Sequence, residues 1–332
     1  MFLRFLCQKG YAMFRVTRRT VLTTLALSPA VTGRAEPAAI RTPPGSLPDT
    51  TLLPLWPGTP PGGGGPENLA PLVSANGSLT RIAAPTLQIY RPARPNGAAM
   101  IMAAGGGYQH ITQRKEATPA TRWLQKLGIT VGVLTYRLPM EGWHAASLAP
   151  FQDAQRAIRL LRTHARQYGI DPDRIGILGF SAGGHLLGLC ATRPDWQTYS
   201  PTDTADTAPI KVALALLAYP IISLEPPYNH THTSRTLLGP HPTQADARAW
   251  SIPPYIRHGS PPFFLVQAAD DPIAAPGQTA LLEQACQQNA VPVTRHLFAS
   301  GGHGFGLGRP GTPTLTWPHL AEQFLHEQSF IS

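Results

Sequence analysis

A chain of 332 residues that is 42% hydrophobic and 14% charged can bury a sizeable core, which excludes a disordered or coiled-coil protein. Its formal charge of +9 is concentrated at one end: six basic residues and no acid lie within residues 1–35, leaving +3 for the rest. That remainder shows no basic run and no aromatic-interleaved stripe, which excludes a nucleic-acid partner.

The leader carries Arg4, Lys9, Arg15, Arg18, Arg19 and Arg34. Thr17-Arg18-Arg19-Thr20-Val21-Leu22 precedes an apolar stretch to about Val31, and Gly33-Arg34-Ala35 offers small residues to a signal peptidase. Twin arginines ahead of a modest hydrophobic segment resemble a Tat export signal, and the segment is too short to cross a bilayer. Residues 1–35 are therefore expected to be a Tat-like signal peptide, and Met13–Ala35 alone is a complete one. The expectation carries the Tat export machinery as partner of the precursor, a periplasmic or secreted location, and no membrane anchoring after processing. Cys7 falls in this leader. Cys190 and Cys286 remain, with neither a disulfide framework nor metal-ligand spacing, and read as small buried hydrophobes.

Residues 36–78 are a Pro/Gly-rich N-terminal extension that includes Leu55-Trp56-Pro57-Gly58 and Gly62–Gly65. They are expected to pack as extended chain on the domain, with Trp56 as an anchor. From residue 79 to 332, strand-length apolar runs alternate with helix-length segments. Strands are expected at Thr86–Tyr90, Ala98–Ala104, Ile129–Tyr136, Ile175–Phe180, Val212–Tyr219, Phe263–Ala269 and Thr294–Phe298. Several are continuous runs, as parallel strands covered on both faces require. Phe151, Ala154, Ile158, Leu161, Ala165 and Tyr168 recur at helical spacing among polar residues and mark an amphipathic helix with one buried stripe. The alternation predicts a single α/β domain, a mostly parallel doubly wound sheet of about eight strands flanked by helices. In such sheets the active site collects at the carboxyl ends of the strands.

Residues of chemical interest do follow the strands. After the second comes Ala104-Gly105-Gly106-Gly107-Tyr108, where glycines let backbone N–H groups face a substrate carbonyl oxygen. A phosphate-binding loop is the rival reading, but it lacks both a following Lys-Ser/Thr pair and G-x-G-x-x-G spacing. After the fourth comes Gly179-Phe180-Ser181-Ala182-Gly183, a G-x-S-x-G turn between strand and helix that presents Ser181 as nucleophile and the Ala182 amide as a second oxyanion donor. His185, one turn into that helix, reads as buried support. His230-Thr231-His232 lacks further ligands and reads as loop surface. Phe263–Ala269 ends in Asp270-Asp271-Pro272. Asp270 is taken as the acid that orients the catalytic imidazole, with Asp271, next to proline, as the alternative. His303, in Ser300-Gly301-Gly302-His303-Gly304-Phe305-Gly306 after the last strand, is the expected base.

The order Ser, Asp, His is that of the α/β-hydrolase fold. Together with Tyr136-Arg137-Leu138-Pro139 and Tyr219-Pro220, these motifs resemble the acetyl-xylan and feruloyl esterase-like branch of the α/β-hydrolase superfamily, and more distantly the hormone-sensitive lipase family. The likeness spans about Leu53 to Leu307, with Ala104 standing where the family usually has Pro or His. The resemblance implies a serine esterase hydrolysing short acyl esters, often acetyl groups on plant polysaccharide such as xylan, with Gly106, Gly107 and Ala182 as oxyanion hole. It implies no cofactor and no metal. It also implies that the segment from Glu225 to Pro261 shapes the cleft. A broad carboxylesterase or lipase, a serine peptidase on the same fold, and a non-catalytic binding protein on a hydrolase scaffold are the alternatives.

Overall fold

A computed structural model describes residues 50–67 and 70–332, so the expected export signal lies outside the described residues. The main sheet has eight strands. At one edge β1 (Thr50–Pro54) pairs antiparallel with β4 (Thr86–Tyr90). Between them in the chain, β2 (Leu72–Val73) and β3 (Leu79–Thr80) form a small ribbon of their own. β4 pairs antiparallel with β6 (Thr130–Thr135), which lies parallel to β5 (Ala99–Ala103). The sheet then continues in parallel through β7 (Ile175–Phe180), β8 (Ala215–Ala218), β9 (Phe263–Ala268) and β10 (Val293–Phe298).

The seven strands read from the apolar runs all form, and β1 makes the eighth. β5 through β9 are buried at every residue, as strands covered on both faces must be. β4 buries only Leu87 and Ile89, alternate residues of a strand that faces the core on one side. The extension therefore contributes more than a wrapping segment. It supplies an edge strand, and just beyond it Leu55 and Trp56 enter the core.

Helix α1 (Thr118–Lys126) joins β5 to β6, α4 (Ala182–Thr192) joins β7 to β8, and α7 (Gly277–Gln288) joins β9 to β10. Between β6 and β7 the expected single amphipathic helix is two, α2 (Ala149–Thr163) and α3 (Ala165–Tyr168), broken at His164 and ended by the left-handed Gly169. All six stripe residues are buried. Four polar residues of α2, Gln152, Asp153, Gln155 and Arg156, are buried as well. Asp153 pairs with Arg137 at 2.9 Å, both side chains wholly inaccessible, and accepts a 2.8 Å bond from Trp56 Nε1. Arg156 pairs with Asp206 at 2.9 Å. Polar spacing normally marks a solvated face; here each charge meets a partner brought by another segment. Short helices α5 (His232–Leu238) and α6 (Gln244–Ala249) lie between β8 and β9, and α8 (Trp317–Glu327) follows the sheet. Among the described residues no helix is long and apolar enough to cross a membrane. Cys190 and Cys286 are both buried and unbonded.

The sheet order reverses around β5 and β7, its adjacent central strands. The loops leaving their carboxyl ends, 104–108 and the turn at Ser181, flank this switch point, where open α/β sheets hold their ligands.

Candidate active site

Ser181 sits between β7 and α4 with φ 51° and ψ −118°, a conformation that non-glycine residues rarely adopt. Backbone bonds over-determine it: its N–H donates to Ala218 O at 3.0 Å, and its carbonyl accepts from His185 N at 3.1 Å. The turn also needs close approach. A Cβ on Gly183 would stand 2.2 Å from Ala103 O, so any side chain there would push α4 off β5.

The Ser181 Oγ lies 2.8 Å from His303 Nε2. On the other ring nitrogen, Nδ1 is 2.8 Å from Asp271 Oδ2 and 3.1 Å from Oδ1. With Asp271 ionised, Nδ1–H donates to it and Nε2 is left to accept from the serine hydroxyl. The expected residues Ser181 and His303 are thus brought together from two distant loops.

The carboxylate in contact with the imidazole is that of Asp271, not of Asp270. Asp270 is exposed and its Oδ1 accepts the Gly302 N–H at 2.7 Å, which holds its carboxyl below the usual carboxylate range. Asp271, one residue on, points inward with a wholly inaccessible side chain. The turn after β9 sends successive side chains opposite ways. The cap-like character that proline lends Asp271 is real, since its Oδ1 accepts from Ile273 N at 2.9 Å and Ala274 N at 2.8 Å. Those bonds, with one from Gln267 Nε2 to Oδ2 at 2.8 Å, fix the carboxylate in front of the imidazole instead of diverting it.

The loop after β5 runs against Ser181. The Gly105 amide is spoken for, donating to Glu116 Oε2 at 2.7 Å. Among the described residues, the amides of Gly106, Gly107 and Ala182 donate to no protein acceptor. Gly106 has φ +126°, and a Cβ there would stand 2.0 Å from His110 O. The resemblance points to Gly106 and Gly107, and the bond to Glu116 occupies the amide of the remaining glycine, Gly105.

Glu116 was missed, and the parts played by Tyr108 and Tyr219 beside the expected support residue His185 were only half seen. Glu116 lies in a π-helical turn, Gln113–Ala117, which buries it while Arg114 and Lys115 stay exposed. π-turns often mark functional positions, but in sequence the run Gln-Arg-Lys-Glu looks like a solvated face. Tyr108, on the glycine loop, meets His185 Nδ1 at 2.9 Å, and His185 Nε2 meets Trp250 O at 2.7 Å. His185 is thus a neutral cross-link between that loop, α4 and the segment around α6. Tyr219, after β8, packs its ring edge-on to His303 with centroids 5.1 Å apart. Thr231 N-caps α5, and no cluster of three metal-ligating side chains occurs among the described residues.

Burial lowers His185 from its ordinary 6.5 to about 4, because the charged ring would have to shed its water. The unfolded chain therefore binds a proton that the folded one refuses between those values. Stability is intact above pH 6.5 and falls as pH drops toward 4, by on the order of 3 kcal/mol for this group. Denaturant unfolding at pH 7 and 4.5 should show His185→Gln losing less stability on acidification than the parent. Equal losses in both would refute it.

A family model described as BD-FAE matches residues 87–286, more than half of the chain. The chain is similar to an acetylxylan esterase of Xylanibacter ruminicola, 28% identical over 250 residues that cover 72% of this chain and 46% of the relative. Among solved structures it is similar to an acetyl ester-xyloside bifunctional hydrolase of Caldicellulosiruptor lactoaceticus, with 31% identity and TM-score 0.72 over 87% of this chain and 100% of that one. It is similar too to the carboxylesterase Cest-2923 of Lactobacillus plantarum, with 26% identity and TM-score 0.64 over 75% and 94%. The chain spans half the length or less of the curated relatives it matches.

Proposed function

The chain belongs to the BD-FAE family, and on that premise we propose that it is a serine ester hydrolase that cleaves short acyl esters, acetyl esters first, through Ser181, His303 and Asp271. The observation that carries the reading is the 2.8 Å contact between the Ser181 hydroxyl and His303 Nε2, with a buried carboxylate on the opposite ring nitrogen. A serine hydroxyl is a weak nucleophile, and this arrangement supplies the base and fixes its tautomer. His303 takes the proton as Oγ attacks the ester carbonyl. The oxyanion rests on the amides of Gly106, Gly107 and Ala182, each worth about 3 kcal/mol in the transition state. His303 returns the proton to the leaving alcohol, and water then repeats the sequence to free the acyl group. These steps call on neither cofactor nor metal.

Two similar proteins are named for acetylated xylan or acetyl xyloside chemistry, which supports an acetylated polysaccharide such as xylan as substrate class. The segment from Glu225 to Pro261 reaches the glycine loop through His232, whose Cβ is 2.8 Å from where a Cβ on Gly107 would stand. That contact supports its part in shaping the cleft. A fluorophosphonate probe should form one adduct, on the peptide carrying Ser181, and the enzyme should release acetate from acetylated xylan and prefer p-nitrophenyl acetate to the octanoate. An adduct elsewhere, or none, would remove the nucleophile from the reading.

The twin-arginine leader supports export of the precursor to the periplasm or medium. Arg18→Lys with Arg19→Lys should retain it in the cytoplasm on fractionation. Unaltered export would discard this part.

A further inference from the structure

Behind the serine and the histidine lies a buried carboxyl group that the mechanism above does not use. Glu116 Oε2 accepts the Gly105 N–H at 2.7 Å, and Oε1 meets the Tyr219 hydroxyl at 3.0 Å. The same hydroxyl oxygen accepts the Gly306 N–H at 3.0 Å. One chain of bonds therefore runs from the oxyanion loop through Glu116 and Tyr219 to the loop that carries His303. We propose that Glu116 is a positioning residue that, as a buried anion, locks these two loops in one frame and keeps His303 basic enough to take the Ser181 proton. The inference rests on the esterase reading.

Counting protons identifies the charge state. Tyr219 Oη already accepts from Gly306, so its own hydrogen is free to point at Glu116, and Gly105 points the other donor there. An ionised carboxylate satisfies every donor in the chain. A protonated one leaves a hydrogen without an acceptor in a buried place: on Oε1 it confronts the Tyr219 hydrogen, and on Oε2 it confronts the Gly105 N–H. Burial is the largest effect and leaves the Glu116 pKa above its ordinary value, while the Gly105 amide, the Tyr219 hydroxyl, His303 and Lys115 offset part of it.

The charged and titratable groups around the pair come from every neighbouring element. Lys115 flanks Glu116 on its own turn, and Tyr136 faces it from the end of β6. Tyr219 stands after β8, and Asp271 contacts the imidazole from the loop after β9. Arg309 Nη2 approaches the His303 carbonyl at 3.4 Å. Asp271 is the acid in direct contact with the ring. Glu116 adds a second negative charge, one whose removal leaves the Asp271 contact intact.

The test is Glu116→Gln, with steady-state kinetics of p-nitrophenyl acetate hydrolysis across pH. Gln keeps the shape, loses the charge and cannot accept from both donors. We expect kcat to fall about tenfold or more with KM changed less than about threefold, since the loops are misaligned for the transition state and not for binding. Losing a negative neighbour makes protonated His303 less favourable. The acid limb of the kcat/KM profile should therefore move about half a unit to lower pH. An unchanged kcat, or a loss of kcat with an unmoved acid limb, overturns the inference, because a merely structural residue would not set the basicity of His303. If Glu116→Gln does not fold, Tyr219→Phe replaces it. That variant keeps the ring against His303 and cuts the link to Gly306, so kcat should fall about fivefold or more at unchanged KM. A parental rate overturns the inference. The Ser181→Ala control separates the two levels: if it is inactive and Glu116→Gln is silent, only this inference fails.

Discussion

Ser181→Ala is expected to lower kcat on p-nitrophenyl acetate by about five to six orders of magnitude while the protein stays folded. The two halves of this expectation have different causes. The hydroxyl makes one side-chain hydrogen bond, to His303, and such a bond contributes about 1 kcal/mol net. Alanine is no worse suited than serine to the φ of 51° at this turn, and the backbone bonds to Ala218 and His185 are unaffected. Stability should therefore change little. The rate, in contrast, depends in the proposed mechanism on a covalent acyl-enzyme that cannot form without Oγ. What survives is catalysis by the oxyanion amides and by binding, about three to four orders above water in comparable sites. Circular dichroism and thermal melting establish the fold, and stopped assays at high enzyme concentration reach the residual rate. Activity within tenfold of the parent would mean that the ester is cleaved elsewhere.

The parts of this fold that could be read from the residues are those where one physical rule dominates. Strands β5 to β9 are apolar at nearly every position because both faces are covered, and their shortness sets such runs apart from buried helices. The turn at Ser181 is legible because two glycines are needed where strand and helix nearly touch. Other parts depend on what meets what. The β1 strand is five residues with no alternation, and its pairing with β4 comes from register across the segment 55–85 that separates the two in the chain. The polar face of α2 looks solvated until Arg137, Trp56 and Asp206 arrive from elsewhere. Glu116 hides in a charged run for the same reason. Asp270 and Asp271 are chemically identical neighbours, and only the path of the turn decides which faces inward.

Asp271→Asn should lower kcat by about three to four orders of magnitude with little change in KM, whereas Asp270→Asn should stay within about threefold of the parent. At position 271 the carboxylate has a fixed set of obligations. Its oxygens accept from Ile273 N, Ala274 N and Gln267 Nε2 and still meet His303 Nδ1. Asparagine has one acceptor oxygen, and the two loop amides claim it. Its NH2 then faces Gln267 Nε2, which keeps its bond to Ala274 O, and Nδ1, which can only accept, so the ring proton moves to Nε2. There it points at the serine hydroxyl, and the imidazole can no longer receive the proton that attack releases. The geometry survives and the tautomer is wrong, which is why KM is spared. At position 270 the exposed carboxylate meets backbone N–H donors, Gly302 first among them, and the asparagine carbonyl can accept that bond in its place. Measuring kcat and KM of both variants under one set of conditions isolates the choice between neighbours. If Asp270→Asn proved the crippled variant and Asp271→Asn the active one, the inward carboxylate would have no part in orienting His303, and the assignment drawn from these distances would be wrong.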